Sequence, residues 1–128
     1  MPARTPTQVH EMFTEAFLAH DLDGVMALYD SDALMAPLAG GPPVRGKDAI
    51  RKVIAALLAM NPRDGGLETE FCLERDDLAL MRSKWHFIGD GPDGNPVEMV
   101  GSGSEVMHRN ADGTWVHLID SPGGGDPL

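Results

Sequence analysis

Cysteine is almost missing from this chain. Cys72 is the only one, so no internal disulfide can form. A reducing cytoplasm is the expected setting. Cationic side chains are also scarce, with 10 Lys and Arg against 20 Asp and Glu and a formal net charge of -10. A protein holds a polyanion by offering Lys and Arg, so neither nucleic acid nor an anionic membrane surface is an expected partner. No apolar run approaches the roughly 20 residues that span a bilayer. The opening Met-Pro-Ala-Arg-Thr-Pro-Thr has no apolar h-region, so no signal peptide is expected. The five histidines show no paired spacing on one helix face, and neither a metal nor another cofactor is expected.

What is present suits one domain of 128 residues with a real core, since hydrophobic residues make up 42%. Residues 1–6 and 123–128 read as irregular tails. Thr7 can cap a first helix whose apolar side is Val9, Met12, Phe13, Ala16 and Phe17. Asp21 looks like the N-cap of a short second helix with Val25, Leu28 and Tyr29 as its stripe, ended by Asp30-Ser31-Asp32. Ala33 to Leu38 reads as a short strand, and Ala39 to Pro43 as a turn. Gly46 opens a third helix, which buries Ile50, Val53, Ile54, Leu57 and Leu58 and stops at Asn61-Pro62.

From Leu67 the period changes to two. Leu67, Thr69, Phe71 and Leu73 alternate with Glu68, Glu70, Cys72 and Glu74. A long strand from Leu78 to Ile88 sets Met81, Ser83, Trp85 and Phe87 on one face. A Gly/Pro/Asp loop leads to a hairpin, Met99 to Ser121, turning at Asn110 to Gly113. One alternate set reads Val100, Ser102, Ser104 and Val106, then Val116, Leu118 and Asp120. The expected class is therefore α+β: three helices with one short strand among them, then a curled antiparallel sheet of four strands.

The hairpin can close in three registers. A two-residue Asp-Gly loop opposes Glu105 and Asp120, which is unfavourable between like charges. It would also bring His108 and His117 together. A four-residue loop opposes Gly103 and Asp120. A three-residue loop, Ala111-Asp112-Gly113, gives Gly113 the left-handed position, pairs Ser104 with Asp120 and sets Arg109 across from Trp115. The third is preferred.

Several stretches resemble the nuclear transport factor two-like superfamily, in its SnoaL-like and ketosteroid-isomerase-like branch. They are Ala16 to Tyr29 (Ala-Phe-Leu-Ala-His-Asp-Leu-Asp-Gly-Val-Met-Ala-Leu-Tyr), Asp32-Ala33-Leu34-Met35, Val44 to Ile50, and Asp112-Gly113-Thr114-Trp115 leading to Asp120-Ser121-Pro122. The resemblance covers about residues 7–122 and implies a cone-shaped α+β barrel, three N-terminal helices packed on a curved antiparallel sheet. It also implies a cavity lined by Phe13, Phe17, Tyr29, Leu34, Val53, Leu57, Met81, Trp85, Ser102, Ser104, Leu118 and Asp120. The isomerases' oxyanion tyrosine, base aspartate and second oxyanion donor fall at Phe13, Ala36 and Ser104, so ketosteroid isomerase activity is not expected.

That lining would suit an apolar small molecule. Asp120 is the candidate acid/base, since a carboxylate in an apolar cavity resists ionising. Ser102, Ser104 and Tyr29 are candidate orienting groups. The implied function is a cofactor-free isomerase, cyclase, dehydratase or hydrolase acting on a carbonyl or ring substrate. The alternative is a non-catalytic ligand carrier or dimerisation module in which Asp120 only tethers the tail. Trp115, Ile119, Met107 and Met99 form the expected outer apolar patch of the sheet, and a homodimer through that face is implied.

Overall fold

A computed structural model describes residues 2–38 and 40–126. The expected turn at Ala39 and the tail positions Met1, Pro127 and Leu128 lie outside the described residues. Three helices and six strands follow in the order α1 (Pro6–Leu18), α2 (Leu22–Met26), β1 (Tyr29–Met35), β2 (Val44–Arg45), α3 (Lys47–Leu58), β3 (Asp64–Arg75), β4 (Leu78–Asp90), β5 (Pro96–Arg109) and β6 (Trp115–Ser121). The class is α+β, as expected. The sheet is larger than expected and mixed, in the order β2-β1-β6-β5-β4-β3, with β1 parallel to β6.

Local chemistry explains most boundaries. Thr5, not Thr7, caps α1: its hydroxyl accepts from Gln8 N at 3.3 Å, and Pro6 fills the first turn where its missing N–H costs nothing. Asp21 caps α2 by accepting from Gly24 N at 2.9 Å. That helix stops at Met26, so Tyr29 and Asp30 to Asp32 belong to β1 rather than to a helix and its end. The cause is remote in sequence: His117 N donates to Leu28 O at 2.7 Å and recruits this segment to β6. Gly46 precedes α3 with φ 89°, and Asn61 after it takes φ 54°.

Two bulges reset the strand faces. In β3, Thr69 pairs with Ser83 but Phe71 pairs with Arg82, leaving Glu70 as the extra residue. Leu67 therefore faces inward while Phe71 and Leu73 turn outward, 43% and 60% exposed. In β6, Met107 pairs with His117 but Val106 pairs with Ile119, leaving Leu118 extra. The turn itself is the three-residue loop, with Gly113 at φ 85°, Asn110 N bonded to Thr114 O at 2.7 Å and the Arg109 guanidinium 6.0 Å from the Trp115 ring. Beyond the bulge the preferred register fails: Asp120 opposes Glu105, and Ser104 opposes Ser121.

Packing shows which face of the hairpin is inside. Trp115, His117 and Asp120 are buried, and so are Gly103, Glu105 and Met107. Ser102 and Ser104 lie on the alternate set. The Gly-Ser-Gly-Ser run thus points its glycines inward because neighbours need the room. A Cβ on Gly101 would sit 2.5 Å from the Trp85 indole, and one on Gly103 would lie 2.6 Å from Ser83 Oγ. The expected outer patch is corrected with it: Trp115 and Met107 are core and Met99 is half-buried, leaving only Ile119 exposed. One apolar cluster centres on Phe17, Tyr29, Ile50, Ile54, Trp85 and Phe87, the other on Val9, Met81, Met107 and Trp115.

Gly101→Ala is expected to lower stability by roughly 1–3 kcal/mol through overpacking against Trp85. Ser102→Ala, one residue along on the other set, should stay within about 0.5 kcal/mol. Urea titration compares the two; a larger effect at Ser102 would contradict this inside-out register.

Candidate functional site

A cavity of about 430 Å³ opens among α1, α3 and the inner sheet residues. Of the seven aromatic residues in the chain, four Phe, two Trp and one Tyr, five line it: Phe13, Phe17, Tyr29, Trp85 and Phe87. Met35, Val53, Ile54, Leu57, Leu67 and Met99 complete the apolar wall, with Pro37, Leu38, Lys52, Ala56 and Pro122 also on the lining. The polar groups are few and mostly buried: Ser83, Glu105, His117 and Asp120, with the Tyr29 hydroxyl.

Besides Asp120, six of the eleven residues expected to line the cavity do so: Phe13, Phe17, Tyr29, Val53, Leu57 and Trp85. The expected acid/base residue Asp120 lines it as well. The other five do not. Leu34 is 36% exposed beside Ile119, and Met81 is buried in the second apolar cluster. Leu118 is the bulged residue, and Ser102 and Ser104 alternate away from the cavity. Leu34, Ser102 and Ser104 are placed by strand phase and Leu118 by the bulge; Met81 shares the inner face with Trp85 but lies further along β4, in the other cluster.

Asp120 is 7% exposed and lines the cavity. Among the described residues its side chain has one hydrogen-bond partner, the Tyr29 hydroxyl, which donates to Oδ2 at 2.6 Å. Burial pushes the Asp120 carboxyl above its ordinary 3.8, and Glu105 adds to this; His117 and the Tyr29 bond oppose it. Tyr29 is pushed well above its ordinary 10.0, first by burial and then by the Asp120 charge. Its phenol therefore stays protonated and keeps donating.

His117 lies flat against Tyr29, with ring centroids 4.6 Å apart and planes at 19°. Its Nδ1 donates to Leu28 O at 3.2 Å, because a carbonyl can only accept. Burial holds the ring below its usual 6.5, which favours the neutral form with Nε2 as an acceptor, and the residue lines the cavity. Glu105 is fixed more firmly than Asp120. Ser83 Oγ donates to its Oε2 at 2.7 Å, and His10 Nε2 lies 2.8 Å from its Oε1. Sequence reasoning missed Glu105, His117 and His10 as members of this site. The bulge hid the phase of the first two, and the helix pattern shows only that His10 follows Val9. No cluster of three metal-type ligands gathers among the described residues. His108 and His117 face opposite sides, as the preferred register implied: His108 lies 3.5 Å from Asp77.

Such a site can hold an apolar molecule and move protons at its polar end. A carboxyl lines the cavity, a phenol fixes it, and an imidazole lies against that phenol.

Comparison with known proteins fits this architecture. A solved ketosteroid isomerase-like protein from Erwinia carotovora atroseptica superposes with a TM-score of 0.80 at 20% identity, over 94% of this chain and 93% of that one. A proposed aromatic ring hydroxylase from Novosphingobium aromaticivorans gives 0.74 at 21% identity, over 94% and 87%. A proposed dehydratase of the NTF2-like family from Streptomyces avermitilis gives 0.71 at 18%, over 90% and 92%. At these identities the likeness shows the fold alone. No curated protein matches significantly. The sequence model of the SnoaL-like domain matches residues 9–118, which is most of the chain. The chain therefore belongs to the SnoaL-like domain family, within the nuclear transport factor two-like superfamily.

Proposed function

We propose that this protein is a cofactor-free acid/base enzyme acting on an apolar carbonyl or ring substrate held in a cone-shaped enclosure, with Asp120 as the base. One observation carries the reading: Asp120 lines an apolar cavity, and among the described residues only its Oδ2 is hydrogen-bonded, by Tyr29. A carboxylate with only a structural role is expected to have both oxygens bonded internally. The raised pKa gives Asp120 more basicity than a wet carboxylate, which is what abstraction of a C–H proton needs. The descriptions of two solved relatives as a proposed dehydratase and a proposed ring hydroxylase are compatible with this class of substrate. Ketosteroid isomerisation is not proposed, because Phe13 lines the cavity without a hydroxyl, and Ala36 and Ser104 are not on its wall.

Elimination of nitrobenzisoxazole tests the base directly, since the probe is flat, apolar and needs only a proton acceptor. Asp120→Asn is expected to lose about 10²–10⁴-fold of the rate. The wild-type rate should rise with pH through a midpoint above 3.8, as the carboxyl ionises. An unchanged rate in Asp120→Asn would refute the assignment.

The same burial carries a stability cost. A carboxyl whose folded pKa is raised destabilises the fold once it ionises, so stability falls as pH climbs from 3.8 through the folded value. Asp120→Asn keeps an acceptor for Tyr29 without the charge. Its melting temperature is expected to exceed the wild type's at neutral pH, with the gap closing towards pH 3.8. Thermal melts across that range check the sign.

We also propose a cytoplasmic homodimer. The exposed, unpaired Cys72 suits a reducing compartment. An apolar row crosses the outer face in register, Leu34–Ile119–Val106–Leu80–Leu73, and a second copy would cover it. Sedimentation should give a two-chain mass for the wild type and a one-chain mass for Leu80→Lys. A wild-type mass of one chain at micromolar concentration would contradict the dimer.

A further inference from the structure

Lys52 is the one Lys or Arg on the cavity lining among the described residues. It is exposed, whereas Asp120 and Glu105 on the same lining are buried. Lys52 therefore stands at the mouth, with Leu38 and Ala56, the other exposed lining residues. Nearby cations are already engaged. Arg45 lies 2.6 Å from Asp32 and Arg51 lies 2.7 Å from Asp23. Arg82 donates to Gly125 O at 3.0 Å. Lys52 has no ion pair among the described residues. Asp48 sits four residues before it on α3, the spacing and order that favour a pair on a helix surface. The Lys52 side chain lines the cavity instead. The tail brings no opposing charge to the lining. Pro122 is its one member there, and Asp126 is bonded to Ser102 N at 2.8 Å, off the lining.

We propose that the cavity takes an organic monoanion, an apolar ring body carrying one carboxylate, and that Lys52 is the residue that selects for the charge. This rests on the reading of the cavity as the place where Asp120 meets its substrate. The aromatic wall of Phe17, Trp85 and Phe87 suits a ring and offers a carboxylate nothing. Asp120 and Glu105 would repel a second anion placed among them. The ligand's charged group therefore stays at the mouth, in water and beside the ammonium, where its desolvation costs little. A lysine suits that place, since its stem can lie along an apolar wall while its head stays wet. One ammonium balances one negative charge, and the chain's net charge of -10 opposes a further one. A carboxylate held at Lys52 turns the far end of the ring inward, towards Asp120.

Naphthoate and naphthamide test this, because they share a shape and differ by the charge. Titration calorimetry at low ionic strength is expected to show the wild type binding naphthoate about five-fold more tightly than the amide. Added salt should shrink that preference. Lys52→Met keeps the length and the apolar stem. It is expected to bind the two probes alike, through weaker binding of naphthoate with the amide unchanged. Lys84→Met removes a cation from the outer face of β4 and should keep the wild-type preference. Equal affinities in the wild type, or a preference lost to the same degree in both variants, would overturn the role of Lys52 while leaving Asp120 as base. Failure of both probes to bind the wild type at millimolar concentration would overturn the reading of the cavity and this one with it.

Discussion

One extra residue in β6 decides what this cavity contains. Without the bulge at Leu118, the parity that puts Trp115 and His117 inside would send Asp120 to the outer face. With it, Trp115 and His117 pack inward near the turn and Asp120 still points inward three residues later. The phenol of Tyr29 can then reach the carboxylate only because β1 runs parallel to β6, which brings Tyr29 alongside His117. The bulge and the parallel pairing together assemble the polar end of an otherwise apolar pocket.

That end is costly to keep. Asp120 and Glu105 are opposed, buried and surrounded by aromatic rings. A hydrogen bond to a charged group contributes about 1.5–3 kcal/mol, so the single bond from Tyr29, the one side-chain partner of Asp120 among the described residues, offsets only part of the desolvation. A core built for stability alone would carry apolar residues at both positions. The inward glycines of β5 belong to the same arrangement, since Gly103 leaves room for the Ser83–Glu105 contact and Gly101 for the Trp85 indole.

Much of the fold was legible in the sequence. The Asp21 cap, the α3 stripe ending before Asn61-Pro62 and the alternation of β4 depend on neighbours a few residues away, and each appears in the structure. The three-residue turn with Gly113 was legible for the same reason. What failed depends on contacts between distant segments. Tyr29 reads as helix until β6 recruits it, and Phe71 and Leu73 read as core until a bulge turns them out. At the site, the carboxylate itself and the aromatic lining were readable. The serines were not, because a Gly-Ser-Gly-Ser run carries no local signal of which set faces in. Glu105 was discounted by the like-charge argument, which holds for an exposed ladder; His10 and Ser83 bond to it here.

The central claim is that Asp120 is a desolvated carboxylate with one oxygen free to meet a ligand. The most direct measurement is the carboxyl carbon-13 NMR titration of Asp120, assigned by its loss in Asp120→Asn. The expected result is a midpoint above the ordinary 3.8, moved further by an apolar ligand in the cavity. A midpoint at or below 3.8, unaffected by any such ligand, would contradict the account and leave Asp120 as a structural tether.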